Sequence, residues 1–396
     1  MAQSKQGCGC AIAVLVLMLS ALGFVGYKFV LPWWRKQPPP SSGKEMQVHV
    51  LDVGQGDSIL IISPEGKVVL VDAGDQTKGK VVLEALKRYN VQQIDYLVAT
   101  HTHPDHIGGM DDVLKNMKVL TVLHNDIAPP EVVNSETAAS PSEAQKPGQK
   151  AAAAKAKKPA PQKGGKTTEL PTVKAYNEYK STVEQSGAQF QKVEPNQQID
   201  LGGGAILTVL APQPPLFTRE QIMKGGGNEL NANSIVMRLD YGDFSLLLAG
   251  DAEAQTEDRL LNKDLNLSAT VLKVGHHGSK YASSENFLKR VKPEAAIIST
   301  GEFNRYGHPA TVVLERLKAA GVNKLFRTDL QGEISITTTG RIKDGKLYEI
   351  KAAKETKSDL WAGREAQKDD SSRSGFITYG DFGPPPRQSK KATGGK

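Results

Sequence analysis

The sequence predicts one large α/β domain. Apolar residues make up 39% of the 396-residue chain. Between residues 46 and 350, aliphatic runs of strand length alternate with helical stretches, and Gly- and Pro-containing turns separate them. The rest divides into an apolar N-terminal segment, a low-complexity insertion and a polar tail. Boundaries are expected at 1–36, 37–45, 46–350 and 351–396.

The first element is a charge-free run of 20 residues, 8–27. At helical rise it is about 30 Å long, the thickness of a bilayer's hydrocarbon core. Pro32, Trp33, Trp34, Arg35 and Lys36 follow as an aromatic and basic belt, and residues 37–45 read as a Pro/Ser spacer. The expectation is a single-pass membrane anchor over 1–36, uncleaved, because the apolar run exceeds a signal-peptide core and no A-x-A site follows. Lys5 stands against Lys28, Arg35, Lys36 and Lys44, so the positive-inside count does not by itself favour an external C-terminus. Cysteine usage does not settle the side either: Cys8 and Cys10 both lie in the anchor, so the folded part has no thiol to oxidise and would tolerate an outside location, and an extracytoplasmic domain is the expectation.

The folded pattern opens with strands at 47–53, 58–62 and 67–72, then a helix at about 78–89. The buried run "IDYLVAT" forms a strand that ends at "HTHPDH", followed by a helix from about 108. Residues 129–173 are rich in Ala, Lys and Pro and read as a disordered insertion. Strand and helix units resume through "AYNEYKSTVEQSG", "AILTVLAP" and the hairpin "NSIVMRLDYGDFSLLLAGD", and run to "LYEI". A disordered tail is expected from 351.

The net charge of +7 does not mark a nucleic-acid surface on the folded part. Lys146, Lys150, Lys155, Lys157, Lys158, Lys163 and Lys166 equal the whole excess, and all lie in the insertion.

Three of the eight histidines fall within 101–106, in an H-x-H-x-D-H loop at a strand end. Imidazole and carboxylate donors suit zinc, manganese or iron. His101 and His103 can face one ion while Asp105 and His106 face a second about 3.5 Å away. Asp251, directly after the apolar strand "SLLLAG", is placed to bridge them, although an Asp there also reads as a helix N-cap. His276 and His277 in "VGHHGSK" and His308 in "NRYGHP" end later strands. His49 alternates within a strand and reads as structural; His124 is a weak candidate.

Together "LDVGQGDS", "THTHPDHIGG", "LLLAGDAEA", "LKVGHHGSK", "NRYGHP" and "FRTDLQGEI" resemble, in that order, the hydrolase domain of the ComEC family of DNA-uptake proteins, within the metallo-β-lactamase fold. The resemblance covers about 46–336, apart from the insertion. It implies an αβ/βα sandwich forming a single domain behind the membrane anchor. The multi-span channel domain of that family is missing here. So is the superfamily's middle histidine, with "NANS" at 231–234 in its neighbourhood. Later histidines compensate in this reading: His101, His103 and His276 hold one ion, Asp105, His106 and His308 the other, and Asp251 lies between. Asp72 orients the histidine loop from behind and His277 supports the ligands or touches substrate. The motif "GQGD" is placed near the site with no role assigned.

Two divalent ions, Zn or Mn, imply hydrolysis, with Asp105 or Asp251 able to accept a proton. Ser279, Lys280, Asn304 and Arg305 are candidate phosphate contacts. The resulting expectation is a membrane-anchored phosphodiesterase acting on DNA, with no protein partner implied. A hydrolase of a small ester such as a phosphocholine ester, and a non-catalytic DNA-binding accessory protein, are the alternatives.

Overall fold

The computed structural model describes residues 41–132, 170–223 and 228–365. The expected anchor at 1–36, most of the insertion and the end of the tail lie outside the described residues. Among the described residues, no helix is long and apolar enough to cross a membrane.

Two mixed sheets face each other. The first has eight strands: β1 (Met46–Val50), β2 (Ile59–Ile62), β3 (Val68–Val71), β4 (Gln93–Val98), β5 (Lys118–His124), β6 (Gln189–Lys192), β14 (Ile334–Lys343) and β15 (Lys346–Ala352), in the spatial order β15-β14-β1-β2-β3-β4-β5-β6. The second has seven: β7 (Gln198–Gly202), β8 (Ala205–Ala211), β9 (Val236–Tyr241), β10 (Phe244–Leu248), β11 (Val271–Lys273), β12 (Ala295–Ile298) and β13 (Lys324–Arg327), ordered β13-β12-β11-β10-β9-β8-β7. Val48, Ile61, Val69, Leu207, Met237, Leu246 and Ile297 fill the space between the sheets. Period-2 alternation along each strand sends the other apolar set outward, where helices cover it.

On the first sheet those helices are Gly79–Arg88, Met110–Asn116 and Pro171–Ser186, packed through Val82, Leu86, Met110, Val113, Tyr179 and Val183. On the second they are Ala254–Leu261, Glu285–Val291 and Thr311–Ala319, through Leu260, Phe287, Leu288, Val313 and Leu317. The result is the four-layered α/β sandwich implied by the motifs.

Three sequence expectations are adjusted. The H-x-H-x-D-H segment is not wholly irregular, since Pro104–Ile107 forms one helical turn with Pro at its start, where a missing N–H costs nothing. The insertion is bounded more tightly than 129–173, because Pro171 already opens a helix. The fold also runs past 350: Leu360 and Trp361 pack against the second sheet's outer core, and the buried Arg327 donates to the carbonyls of Leu360 and Ala362 at 3.0 and 2.6 Å.

Candidate metal centre

The site forms at the C-terminal ends of strands. β3 and β4 are parallel, as are β10, β11 and β12, so within each set the strand ends lie on one edge. Asp72 follows β3; Thr100, His101 and His103 follow β4, and the turn Pro104–Ile107 adds Asp105 and His106. Asp251 follows β10, and a 3-10 turn, Gly275–Gly278, places His276 and His277 after β11.

Donor atoms gather into two groups with Asp251 beside both, and Asp57 joins two further triads, one with Asp72 and His106 and one with Asp251 and His277. His101, His103 and Asp251 bring one donor each within 4.8 Å of one another, and so do Asp105, His106 and His277. His101 Nε2 lies 2.8 Å from His103 Nδ1 and 3.7 Å from Asp251 Oδ2. His106 Nε2 is 3.3 Å from Asp251 Oδ2, while His277 Nε2 is 3.4 Å from Asp105 Oδ2 and 3.5 Å from Asp251 Oδ1.

The donor set fits a divalent cation on a structural criterion. His106 Nε2, His277 Nε2 and Asp251 Oδ1 are buried with no hydrogen-bond partner. Each such atom costs about 1–3 kcal/mol unless something satisfies it, and a cation between them would do so.

Electrostatics point the same way. Burial pushes His101 well below the ordinary imidazole value, aided by the charges of His106 and His103, and burial lowers His103 to about 4. Both are therefore neutral and offer lone pairs. Burial also opposes charging at His106 and His277, but the carboxylates of Asp251, Asp72 and Asp105 outweigh it at the first. At the second, Asp251, Asp105 and Asp57 raise the pKa to about 10. Asp251 and Asp105 stay ionised against burial because those histidines face them. Protons on His106 and His277 thus occupy the charge position that a bound cation would take.

The residues behind the donors fix their orientation. Asp72 Oδ2 lies 2.7 Å from His106 Nδ1 and accepts from the Thr100 hydroxyl at 2.6 Å, while its Oδ1 accepts from the Thr100 N–H at 2.9 Å. These contacts fix the His106 ring and the start of the histidine loop against Asp72.

The late histidines are arranged differently from the sequence reading. His277, expected as a supporting residue, joins Asp105 and His106, whereas His308, expected as their ligand, belongs to neither donor group. Its ring centre lies 5.4 Å from that of His276 and 6.3 Å from that of His277. Consecutive side chains on a tight turn point in different directions. With both residues in left-handed backbone, at φ 44° and 54°, His277 turns inward and His276 toward the opening. His276 still keeps Nε2 3.8 Å from Asp251 Oδ2, with Nδ1 held 3.0 Å from Glu253 Oε1.

Among the expected phosphate contacts, Lys280 and Arg305 are exposed, with Arg305 lying 5.4 Å from the Tyr306 ring centre. Ser279 is buried. Asn304 is a correction: its amide donates to the carbonyls of Gly301 and His308 at 2.8 and 2.7 Å and its oxygen accepts from the His308 N–H. It braces its own loop and has no free group for a phosphate.

The "NANS" segment borders the site through Asn231. The Asn231 amide lies 3.4 Å from Glu253 Oε1 and from the ring nitrogens of His276, and Asn228 Nδ2 is 3.2 Å from His103 Nε2. His124 stacks on Phe190 and accepts from the Asp126 N–H, and His49 stacks on Tyr89 and bonds Ser335. Sequence reasoning placed the motif ending at Asp57 near the site without a role, and missed Lys273 and Glu253. A lysine inside the apolar run "VLKV" was the available signal, since a buried lysine needs a carboxylate partner.

Residues 51–177 match the family model of the Metallo-beta-lactamase superfamily, in keeping with the two-sheet fold and its cluster of His and Asp donors. The chain's similarities include competence and recombination proteins. The chain is 27% identical over 328 residues to ComE operon protein 3 of Bacillus subtilis (strain 168), covering 78% of this chain and 35% of that protein. It is 44% identical over 105 residues to Competence protein ComA of Neisseria gonorrhoeae, 26% of this chain and 15% of that one. Recombination protein 2 of Haemophilus influenzae is 29% identical over 282 residues, 68% of this chain and 26% of that protein. The chain therefore spans about a third or less of the length of these relatives.

Proposed function

We propose that the protein is a membrane-tethered phosphodiesterase, a nuclease acting on DNA, that works with two divalent ions, manganese or zinc. The carrying observation is the convergence of the unpartnered His106 Nε2, His277 Nε2 and Asp251 Oδ1 beside the His101 and His103 pair. In this reading His101, His103 and Asp251 hold one ion, with His276 as its nearest further donor. Asp105, His106, His277 and Asp251 hold the other.

Such a pair of ions supplies a water of lowered pKa and stabilises charge on the attacked phosphoryl group. The chain's own residues do the rest. Asp251, almost wholly buried, keeps the two donor groups together. Asp105 has a side chain 30% exposed, so its carboxylate reaches the open side and is the better placed to accept a proton. His276 and His308 line the approach, and Lys280 and Arg305 offer exposed charges to flanking phosphates. The names of the relatives, competence and recombination proteins, support DNA as substrate. The charge-free run at 8–27 supports the tether, with the folded part on the extracytoplasmic side.

The test uses the full chain loaded with Mn²⁺ or Zn²⁺ and offered single-stranded DNA, double-stranded DNA and bis(4-nitrophenyl) phosphate. We expect DNA cleavage that falls at least about a thousandfold in His101→Ala and Asp251→Ala. Cleavage of the small ester alone would contradict the DNA assignment. DNA binding without cleavage of any substrate would contradict catalysis itself.

A further inference from the structure

Loop 54–57 ties the site together. Asp57 lies in the gap between the sheets' ends, almost wholly buried, and its Oδ2 pairs with Lys273 Nζ at 2.8 Å. Lys273 is itself buried and donates a second bond to the Val274 carbonyl at 3.0 Å. The other carboxylate oxygen, Oδ1, sits 3.4 Å from His277 Nδ1 and has no hydrogen-bond partner. His277 Nδ1 is 3.0 Å from the Ser299 carbonyl, so it carries the proton and leaves Nε2 free toward Asp105 and Asp251. The Ser299 hydroxyl in turn donates to the Gly56 carbonyl at 2.7 Å.

The same loop grips the first histidine motif. The Asp57 N–H donates to the Asp105 carbonyl at 3.3 Å, and the Asp57 carbonyl accepts from the Gly74 N–H at 2.9 Å. Gly56 has φ +127°, and a Cβ there would stand 2.1 Å from the Asp105 carbonyl oxygen, so only glycine permits the approach. Asp57 thereby lies beside the His277 Nδ1–H, whose hydrogen bond goes to the Ser299 carbonyl, whereas Asp72 bonds His106 Nδ1 directly. A further difference is that Asp57 carries its own fixed cation.

We propose that Asp57 and Lys273 are positioning residues for the Asp105, His106 and His277 ion site: the pair acts with the Ser299 carbonyl to hold His277 in its Nδ1–H form, with Nε2 aimed at the ion. Lys273 is what allows a carboxylate to stay charged at that depth. Neither residue touches substrate. This inference rests on the two-ion reading above.

The experiment removes the pair together, Asp57→Asn with Lys273→Met, so that no buried charge is stranded. Full-length wild type and the double variant are titrated with Co²⁺, following stoichiometry and the visible ligand-field spectrum. A thermal melt confirms folding, and Lys273→Arg serves as a second, charge-retaining variant. Wild type should bind two ions. The double variant should bind the first unchanged and the second about 10- to 100-fold more weakly, with an altered spectrum for that ion only. Lys273→Arg should keep second-ion affinity closer to wild type. Two ions in wild type and an unchanged second affinity and spectrum in the folded double variant would overturn the positioning role alone. If the double variant does not fold, Asp57→Asn alone, which still offers Lys273 an amide oxygen, decides by the second-ion spectrum: a change confined to that ion supports the role, and an unchanged spectrum overturns it. A wild type that binds fewer than two ions would overturn the two-ion reading and this inference with it.

Discussion

Glu257 shows what a single buried carboxyl does to this fold. It sits on the helix Ala254–Leu261, almost wholly buried, and accepts from the backbone N–H groups of Ser283 and Ser284. Burial outweighs those bonds and raises its pKa from 4.5 to about 7. A carboxyl whose folded value is raised binds its proton more tightly in the folded state. Its contribution is therefore full below pH 4.5 and is lost as pH rises through 7. The shift corresponds to roughly 3 kcal/mol. Urea unfolding at pH 5 and pH 8 should show wild type losing more stability than Glu257→Gln over that interval; parallel losses would contradict the assignment.

At this scale the sequence reveals the donors better than their neighbours. His101, His103, Asp105 and His106 are legible because four ligand-type side chains are contiguous at a strand end. The choice between His276 and His277 is not legible, because it depends on which way a left-handed turn points two adjacent residues. Asn304 reads as a phosphate contact only until its loop closes on His308 and uses every polar atom it has. Lys273 and Asp57 are 216 residues apart, and no local pattern joins them.

Elements follow the apolar period closely where one face is buried. The hairpin of β9 and β10, with Tyr241 opposite Phe244 at its turn, is the clearest case. Legibility fails at 353–365, where the polar composition suggests a tail. The contacts made there are largely backbone ones: Arg327 uses the carbonyls of Leu360 and Ala362, and the Arg364 N–H donates to the Pro309 carbonyl. Any sequence supplies such groups, so composition cannot signal them. Arg364 also reaches Asp329 at 2.7 Å and the Glu302 carbonyl at 2.6 Å, which fastens the loop carrying His308. Truncation before residue 359 strips a buried guanidinium of two acceptors. It should lower unfolding free energy by roughly 2–4 kcal/mol in chemical denaturation. A truncated chain as stable as the full one would show that this segment contributes nothing.

At the scale of the whole molecule, the two sheets bring strand ends from both halves of the chain to one edge. The first sheet supplies Asp72, His101, His103, Asp105 and His106; the second supplies Asp251, His276 and His277. The site cannot form from either half alone, so the early histidine motif draws its partners from far along the sequence. The surplus of lysine falls at 146–166 in the sequence, outside the described residues.

The most direct test of the two-ion account is anomalous diffraction at the metal edge from crystals grown with Mn²⁺ or Zn²⁺. The account predicts two peaks, one bounded by His101, His103 and Asp251 and the other by Asp105, His106, His277 and Asp251. A single peak, or a second ion held by His308 in place of His277, would contradict it.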